Sequence, residues 1–269
     1  MSEIEKPDSV EAAGARGRTD GRLAKRIALV TGASRGLGRF FAETLAREGA
    51  HVVLAGRSNL RQVVDGITRS GGTANQVEMD VMSDDSILRA YAQINARWGC
   101  PSILVNNAGI TEVVDTLDQK PSDFDRILAT NLRGPWMVAR EAARHMAAAT
   151  ITGSIVNIAS ILALRQAGRV TAYAVAKAGL VQMTKQFALE WARYGIRVNA
   201  LAPGYVETDF NREFFQTEKG REMIHRIPMR RLTRMEELAE PLLLLAGDGG
   251  AAITGVVLPV DSGHLLSGL

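Results

Sequence analysis

Three side chains in the second half of the chain could move a proton between them. Tyr173 and Lys177 stand four residues apart in Ala172-Tyr173-Ala174-Val175-Ala176-Lys177, and Ser160 precedes them. On a helix that spacing puts a phenol and an ammonium on one face, where a fixed positive charge favours phenolate and draws the tyrosine below its usual pKa of about 10. Such a phenol trades protons near neutral pH. Tyrosine and lysine at this spacing also meet on ordinary helices, so the company matters. Ser160 ends the apolar run Ile155-Val156-Asn157-Ile158-Ala159. That run predicts a buried strand carrying a hydroxyl to the edge of a sheet, where α/β enzymes keep their chemistry.

A second constellation lies near the start of the chain. Thr31-Gly32-Ala33-Ser34-Arg35-Gly36-Leu37-Gly38 follows the apolar run Ile27-Ala28-Leu29-Val30 and opens a helical pattern at Leu37, Phe41 and Leu45. A strand, a glycine-rich turn and a helix start bring backbone amides and the positive end of a helix to a pyrophosphate. Gly32 permits the tight turn, Gly36 leaves room for phosphate, and Gly38 lets helix and sheet approach. The segment predicts a dinucleotide site.

Positioning these groups needs a scaffold, and the chain alternates short apolar runs with helical segments. Strands are predicted at 27–30, 52–54, 76–79, 103–105, 154–158, 196–200 and 256–260. Strand and helix in alternation imply a parallel sheet covered on both faces. Residues 1–22 lack an apolar core and read as a flexible tail, and Glu3, Glu5, Asp8 and Glu11 argue against an import signal. One domain is expected from 23 to 269. The long interval from about 205 to 234 interrupts the alternation with Phe214, Phe215, Met223 and Ile224, and a helical lid over the site is expected there.

Composition excludes several classes of function. With 46% hydrophobic residues the chain can bury a full core, and no stretch approaches the roughly 18 apolar residues of a membrane span. A net charge of +3, with basic residues scattered among acidic ones, gives nucleic-acid binding no support. The one basic concentration, Arg226, Arg230, Arg231 and Arg234, could meet an anionic substrate or simply solvent. Cys100 is the sole cysteine, which suits a reducing, cytoplasmic setting. The histidines at 51, 145, 225 and 264 lack metal-ligand spacing, so no metal is expected and packing or surface duty is their expected role.

Taken together, these motifs resemble the short-chain dehydrogenase/reductase family from about Leu23 to Gly263. The resemblance implies a single-domain, Rossmann-like α/β fold of three layers around a seven-stranded parallel sheet. It also implies roles. Asp80-Val81 is similar to the family's adenine-contacting pair, and Asn106-Asn107-Ala108-Gly109 to its stretch after the fourth strand, with Asn107, Ala108 and Gly109 at the cofactor. Asn131, Ser160, Tyr173 and Lys177 match the catalytic set. Lys177 would also hold the nicotinamide ribose beside Tyr173, and Asn131 would fix a water leading to solvent. Pro203, Gly204, Val206 and Thr208 match the motif flanking the nicotinamide. The family departures are Ala159, Ala163 and Gly249-Gly250, none of which removes a reactive group.

Binders of NAD usually carry an acid at the end of the second strand to grip the ribose diol. Gly56 stands there, followed by Arg57, and Arg35 lies in the glycine turn, so two guanidinium groups could bracket a 2′-phosphate. NADP(H) is therefore expected over NAD(H). The segments 172–180 and 203–209 are most similar to 3-oxoacyl-carrier-protein reductases, which implies a ketone/secondary-alcohol oxidoreductase of thioesters. Sugar and polyol dehydrogenases share nearly all of this pattern, and a nucleotide-sensing protein without turnover is the alternative of another class. The resemblance further implies a homo-oligomer, a dimer or tetramer joined through helices.

Overall fold

The computed structural model describes residues 21–207 and 211–267. Its strands are β1 (Ile27–Thr31), β2 (His51–Gly56), β3 (Thr73–Glu78), β4 (Ile103–Asn106), β5 (Gly153–Ile158), β6 (Ile196–Pro203) and β7 (Val257–Val260). The helices are α1 (Gly36–Arg47), α2 (Arg61–Arg69), α3 (Asp84–Arg97), α4 (Pro121–Leu128), α5 (Gly134–Ala148), α6 (Thr171–Trp191), α7 (Arg212–Gln216), α8 (Glu218–His225) and α9 (Ala239–Ala246). All seven strands run parallel in the order β3-β2-β1-β4-β5-β6-β7. Every strand therefore ends at the same edge.

Alternation along each strand divides the core into two layers, because successive side chains point to opposite faces. Ala28 and Val30 of β1 with Ile103 and Val105 of β4 pack beneath Phe41, Leu45, Val63, Leu242 and Leu245, from α1, α2 and α9. Leu29 and Leu104, one residue out of step, join Ile87, Tyr91, Val138 and Phe187, from α3, α5 and α6. Both faces are buried, which is why these strands read as continuous apolar runs.

Most strands extend past their apolar signal, β3 and β6 among them. β3 begins at Thr73, where the hydrophobic pattern starts only at Gln76, because it pairs with β2 from His51 onward. β6 continues to Pro203 through its ladder with β7. In both, pairing with the neighbour sets the length. No helix among the described residues is long and apolar enough to cross a membrane.

Helix α1 lies hard against the end of β1. A Cβ on Gly38 would sit 2.2 Å from the Gly32 carbonyl oxygen and 2.4 Å from Asn107 Nδ2. Gly66, inside α2, has nothing within 4 Å of the same position. Opposite outcomes follow for the same substitution. Gly38→Ala costs about 1–3 kcal/mol through overpacking, whereas Gly66→Ala gains about 0.5–1 kcal/mol of helix propensity, as read from urea unfolding of each variant.

Candidate active site

The strand order turns back between β1 and β4, and the ends of these two strands diverge to open a crevice. Thr31 ties its two lips together. Its Oγ1 accepts the backbone N–H of Asn107 at 3.0 Å and of Ala108 at 3.1 Å. Asn107 returns two bonds from Nδ2, to the carbonyls of Thr31 at 3.1 Å and Gly32 at 3.2 Å. Gly32 holds φ +65° with Ala108 Cα only 2.8 Å from where its Cβ would be, so no other residue fits the bend.

Above this bend, α1 starts with its amides free of any side-chain cap and with no acidic residue in the first turn. Ser34, Arg35 and Gly36 are exposed, Leu37 is half-buried, and a Cβ on Gly36 would meet open space. An uncapped positive helix end below an open cradle fits a pyrophosphate. Arg57 is exposed just past the end of β2. At the end of β3, Asp80 Oδ1 accepts the Met82 N–H at 3.0 Å, and Val81 supports Gly134 at the start of α5. The predicted cofactor residues of the first three strands thus share one sheet edge.

Asn131 lies where sequence periodicity gives no warning. Residues Ala129–Arg133 form a π-helical turn between α4 and α5, the sort of distortion that re-aims a side chain at a functional site. The fully buried Asn131 accepts the Ile110 N–H at 2.8 Å and donates to the Ile110 carbonyl at 2.7 Å. This reciprocal pair pins the loop after β4, beside Gly109. The carboxamide therefore acts first as a clamp on that loop.

Ser160, Tyr173 and Lys177 come together as predicted. Ser160, extended at the end of β5, caps a short 3-10 turn at Ile161–Ala163 by accepting the Leu162 N–H at 3.1 Å, and its hydroxyl favours the ionised form of the Tyr173 phenol. Lys177 lies one turn along α6 from Tyr173, buried, with Nζ donating to the Ile158 carbonyl at 2.7 Å and standing 5.6 Å from the centre of the tyrosine ring.

The electrostatics correct one expectation. Burial raises the Tyr173 pKa above its ordinary value, opposed only by the Ser160 hydrogen bond, so Lys177 does not make this phenol acidic. Burial acts on the amine as well, lowering Lys177 to about 8, and its Nζ donates to a strand carbonyl. What the triad provides is a neutral phenol beside a hydroxyl and a buried amine that gives up its proton readily.

Beneath the cleft runs a polar ladder missed by reading the strands as apolar. Asn106 Nδ2 donates to Asn157 Oδ1 at 3.0 Å, and Asn157 Nδ2 donates to Thr184 Oγ1 of α6 at 2.9 Å. An asparagine at matching places in two apolar runs was the available signal. Pro203 ends β6, and Gly204 follows with Asp261 Cα 2.7 Å from its would-be Cβ. Val206 is buried and bridges to Thr233. Thr208 lies outside the described residues, as do residues 1–20 of the predicted tail. Helices α7 and α8 occupy the predicted lid interval, with Phe215 and Ile227 buried and Phe214 exposed.

This geometry has close counterparts among known proteins. The family described as Enoyl-(Acyl carrier protein) reductase matches residues 32–264. L-Rhamnose 1-dehydrogenase (NAD(P)(+)) of Azotobacter vinelandii is 37% identical over 248 residues, covering 90% of this chain and 97% of that one. The 3-oxoacyl-acyl-carrier-protein reductase FabG of Pseudomonas aeruginosa is 36% identical, covering 91% and 99%. A crystal structure of gluconate 5-dehydrogenase from Burkholderia cenocepacia, in complex with NADP and tartrate, aligns with a TM-score of 0.88 at 33% identity, covering 92% and 98%. The chain belongs to the short-chain dehydrogenase/reductase family of oxidoreductases.

Burial of Lys177 has a signature in stability. Below about pH 8 the amine is charged in both folded and unfolded chains, and its desolvation counts against folding. Between about 8 and the ordinary value of 10.5 the unfolded chain binds the proton that the folded chain has released, so stability rises with pH across that window. Urea midpoints taken near both ends of the window are expected to shift upward with pH in the parent relative to Lys177→Met.

Proposed function

We propose that this protein interconverts a ketone and a secondary alcohol with NADP(H). The observation that carries the reading is the Ser160-Tyr173-Lys177 cluster on the same sheet edge as the uncapped start of α1. When bound, a nicotinamide supplies the hydride on reduction and accepts it on oxidation. Ser160 and Tyr173 hold the substrate oxygen, and negative charge growing there on reduction draws the proton from Tyr173. Lys177 is placed to restore that proton, since its own pKa of about 8 lies close to neutral conditions. Asn131 keeps the loop after β4 in register with the site.

Arg35 and Arg57 support a 2′-phosphate in this reading, Arg35 at the start of α1 and Arg57 past the end of β2. NADP in the complex of the gluconate 5-dehydrogenase relative points the same way, and the rhamnose dehydrogenase is named for both cofactors. For the substrate, relatives reducing oxoacyl thioesters and relatives acting on sugars stand at equal similarity. The lid favours the second group. Phe215 packs on Tyr205 and Phe214, and Ile227 is 1% exposed, so these two side chains hold the segment and leave less apolar surface there for an acyl chain. A homo-oligomer through α5 and α6 fits the exposed Trp136 and Val175, and a cytoplasmic setting fits the single cysteine.

Two measurements test the reading. Tyr173→Phe is expected to lower kcat by about 10²–10⁴-fold with NADPH affinity retained, and undiminished turnover would overturn the acid/base assignment. NADPH binding without oxidation across ketones would instead favour a sensor. Replacing Arg35 and Arg57 together by serine is expected to cut kcat/KM for NADPH by about 10–100-fold and leave NADH nearly unchanged.

A further inference from the structure

Beyond Ser160 the chain turns once, with Arg165 N–H donating to the Ile161 carbonyl at 3.0 Å, and this turn meets the C-terminal segment. One guanidinium nitrogen, NH1, does all the tying: it donates to the His264 carbonyl at 2.5 Å and to Ser267 Oγ at 2.9 Å. Three of the five N–H donors of an arginine remain, and no carboxylate among the described residues pairs with them. A clamp for the chain end explains two donors. The remaining donors of this half-buried cation have no ion-pair partner among the described residues.

The surroundings of that cation are polar and unfinished. His264 is 8% exposed, and its Nδ1 is buried without a hydrogen-bond partner. Its ring lies 5.1 Å from that of Tyr205, which follows the Pro203-Gly204 turn and leans on Phe215 of α7 at 5.8 Å. The Tyr205 hydroxyl donates to no described residue. The charge of Arg165 reaches both rings. Asp261, the nearby acid, acts on the His264 ring in the sense opposite to Arg165, and both its oxygens are engaged: Oδ1 accepts the Gly263 N–H at 2.9 Å and Oδ2 the Leu265 N–H at 2.7 Å. Thus a cation, a phenol and an orphaned imidazole nitrogen gather between the turn after Ser160, the end of β6 and the base of the lid.

We propose that Arg165, Tyr205 and His264 form a subsite for a hydroxy acid, with Arg165 taking the carboxylate and the two rings taking neighbouring hydroxyls. The inference rests on the ketone/alcohol reading above and names its substrate class. A free guanidinium fork matches a carboxylate, and a buried nitrogen lacking a partner gains most from a ligand hydroxyl. A simple acyl chain would leave both unsatisfied.

The test compares short aldonates with the alditols of the same configuration, both oxidised with NADP⁺ by the full chain. The parent is expected to prefer the aldonates. Arg165→Gln is expected to lose about 10–100-fold in kcat/KM on aldonates, mainly through KM, with alditol turnover unchanged and Arg165→Lys recovering part of the loss. Ser267→Ala removes one partner of the clamp but keeps the guanidinium, and should leave aldonate KM as it was. Melting temperature and NADP⁺ affinity of each variant separate misfolding from lost recognition. A parent that prefers alditols, or equal losses on both substrates in Arg165→Gln, would overturn the subsite. Reduction of acetoacetyl thioesters with no aldonate oxidation would overturn the subsite alone, whereas no turnover of any substrate would remove the proposed function beneath it.

Discussion

One close approach governs the rest of the molecule: the first turn of α1 rests on the end of β1 with no side chain between them. Gly38 makes this contact possible, and Asn107 fills the remaining space with two donated bonds to the backbone of Thr31 and Gly32. Because Asn107 belongs to the loop after β4, the same contact fixes how far β1 and β4 separate at their ends. The direction of the α1 dipole, the width of the crevice and the path of the chain toward Ile110 are consequences of it.

A second set of bonds transfers this geometry across the sheet. The ladder from Asn106 through Asn157 to Thr184 links the β4 end to α6, and Lys177 closes the circuit by donating to Ile158 on β5. Buried amides and hydroxyls tolerate few alternative arrangements, since a broken bond leaves a desolvated group. Tyr173 is thereby held against strand ends rather than on a helix free to slide. The cost is a buried amine whose charged form burial disfavours.

The sequence was most legible where one local rule sufficed. Alternating apolar runs marked every strand, the glycines at 32, 36 and 38 marked the cradle, and helical spacing put Tyr173 and Lys177 on one face. It was least legible where distant segments decide. The start of β3 depends on β2, and the π turn at Asn131 interrupts a helix whose periodicity looks unbroken. The direction of the Tyr173 shift depends on burial, which spacing does not encode. His264, read from sequence as a surface or packing residue, gains its interest only from Arg165, which lies 99 positions away in the chain. Residue spacing reports which groups share a face, and only folding reports what surrounds them.

The parallel bridge between Val206 and Thr233 closes the base of the excursion holding α7 and α8. The intervening stretch leaves and re-enters the body at one place, and lengthening such a closed excursion costs little chain entropy. Its sequence can drift or grow while the sheet edge, the glycine bend and the cluster of Ser160, Tyr173 and Lys177 stay untouched. A single stitch thus gives evolution a place to remodel one segment without disturbing the sheet it springs from.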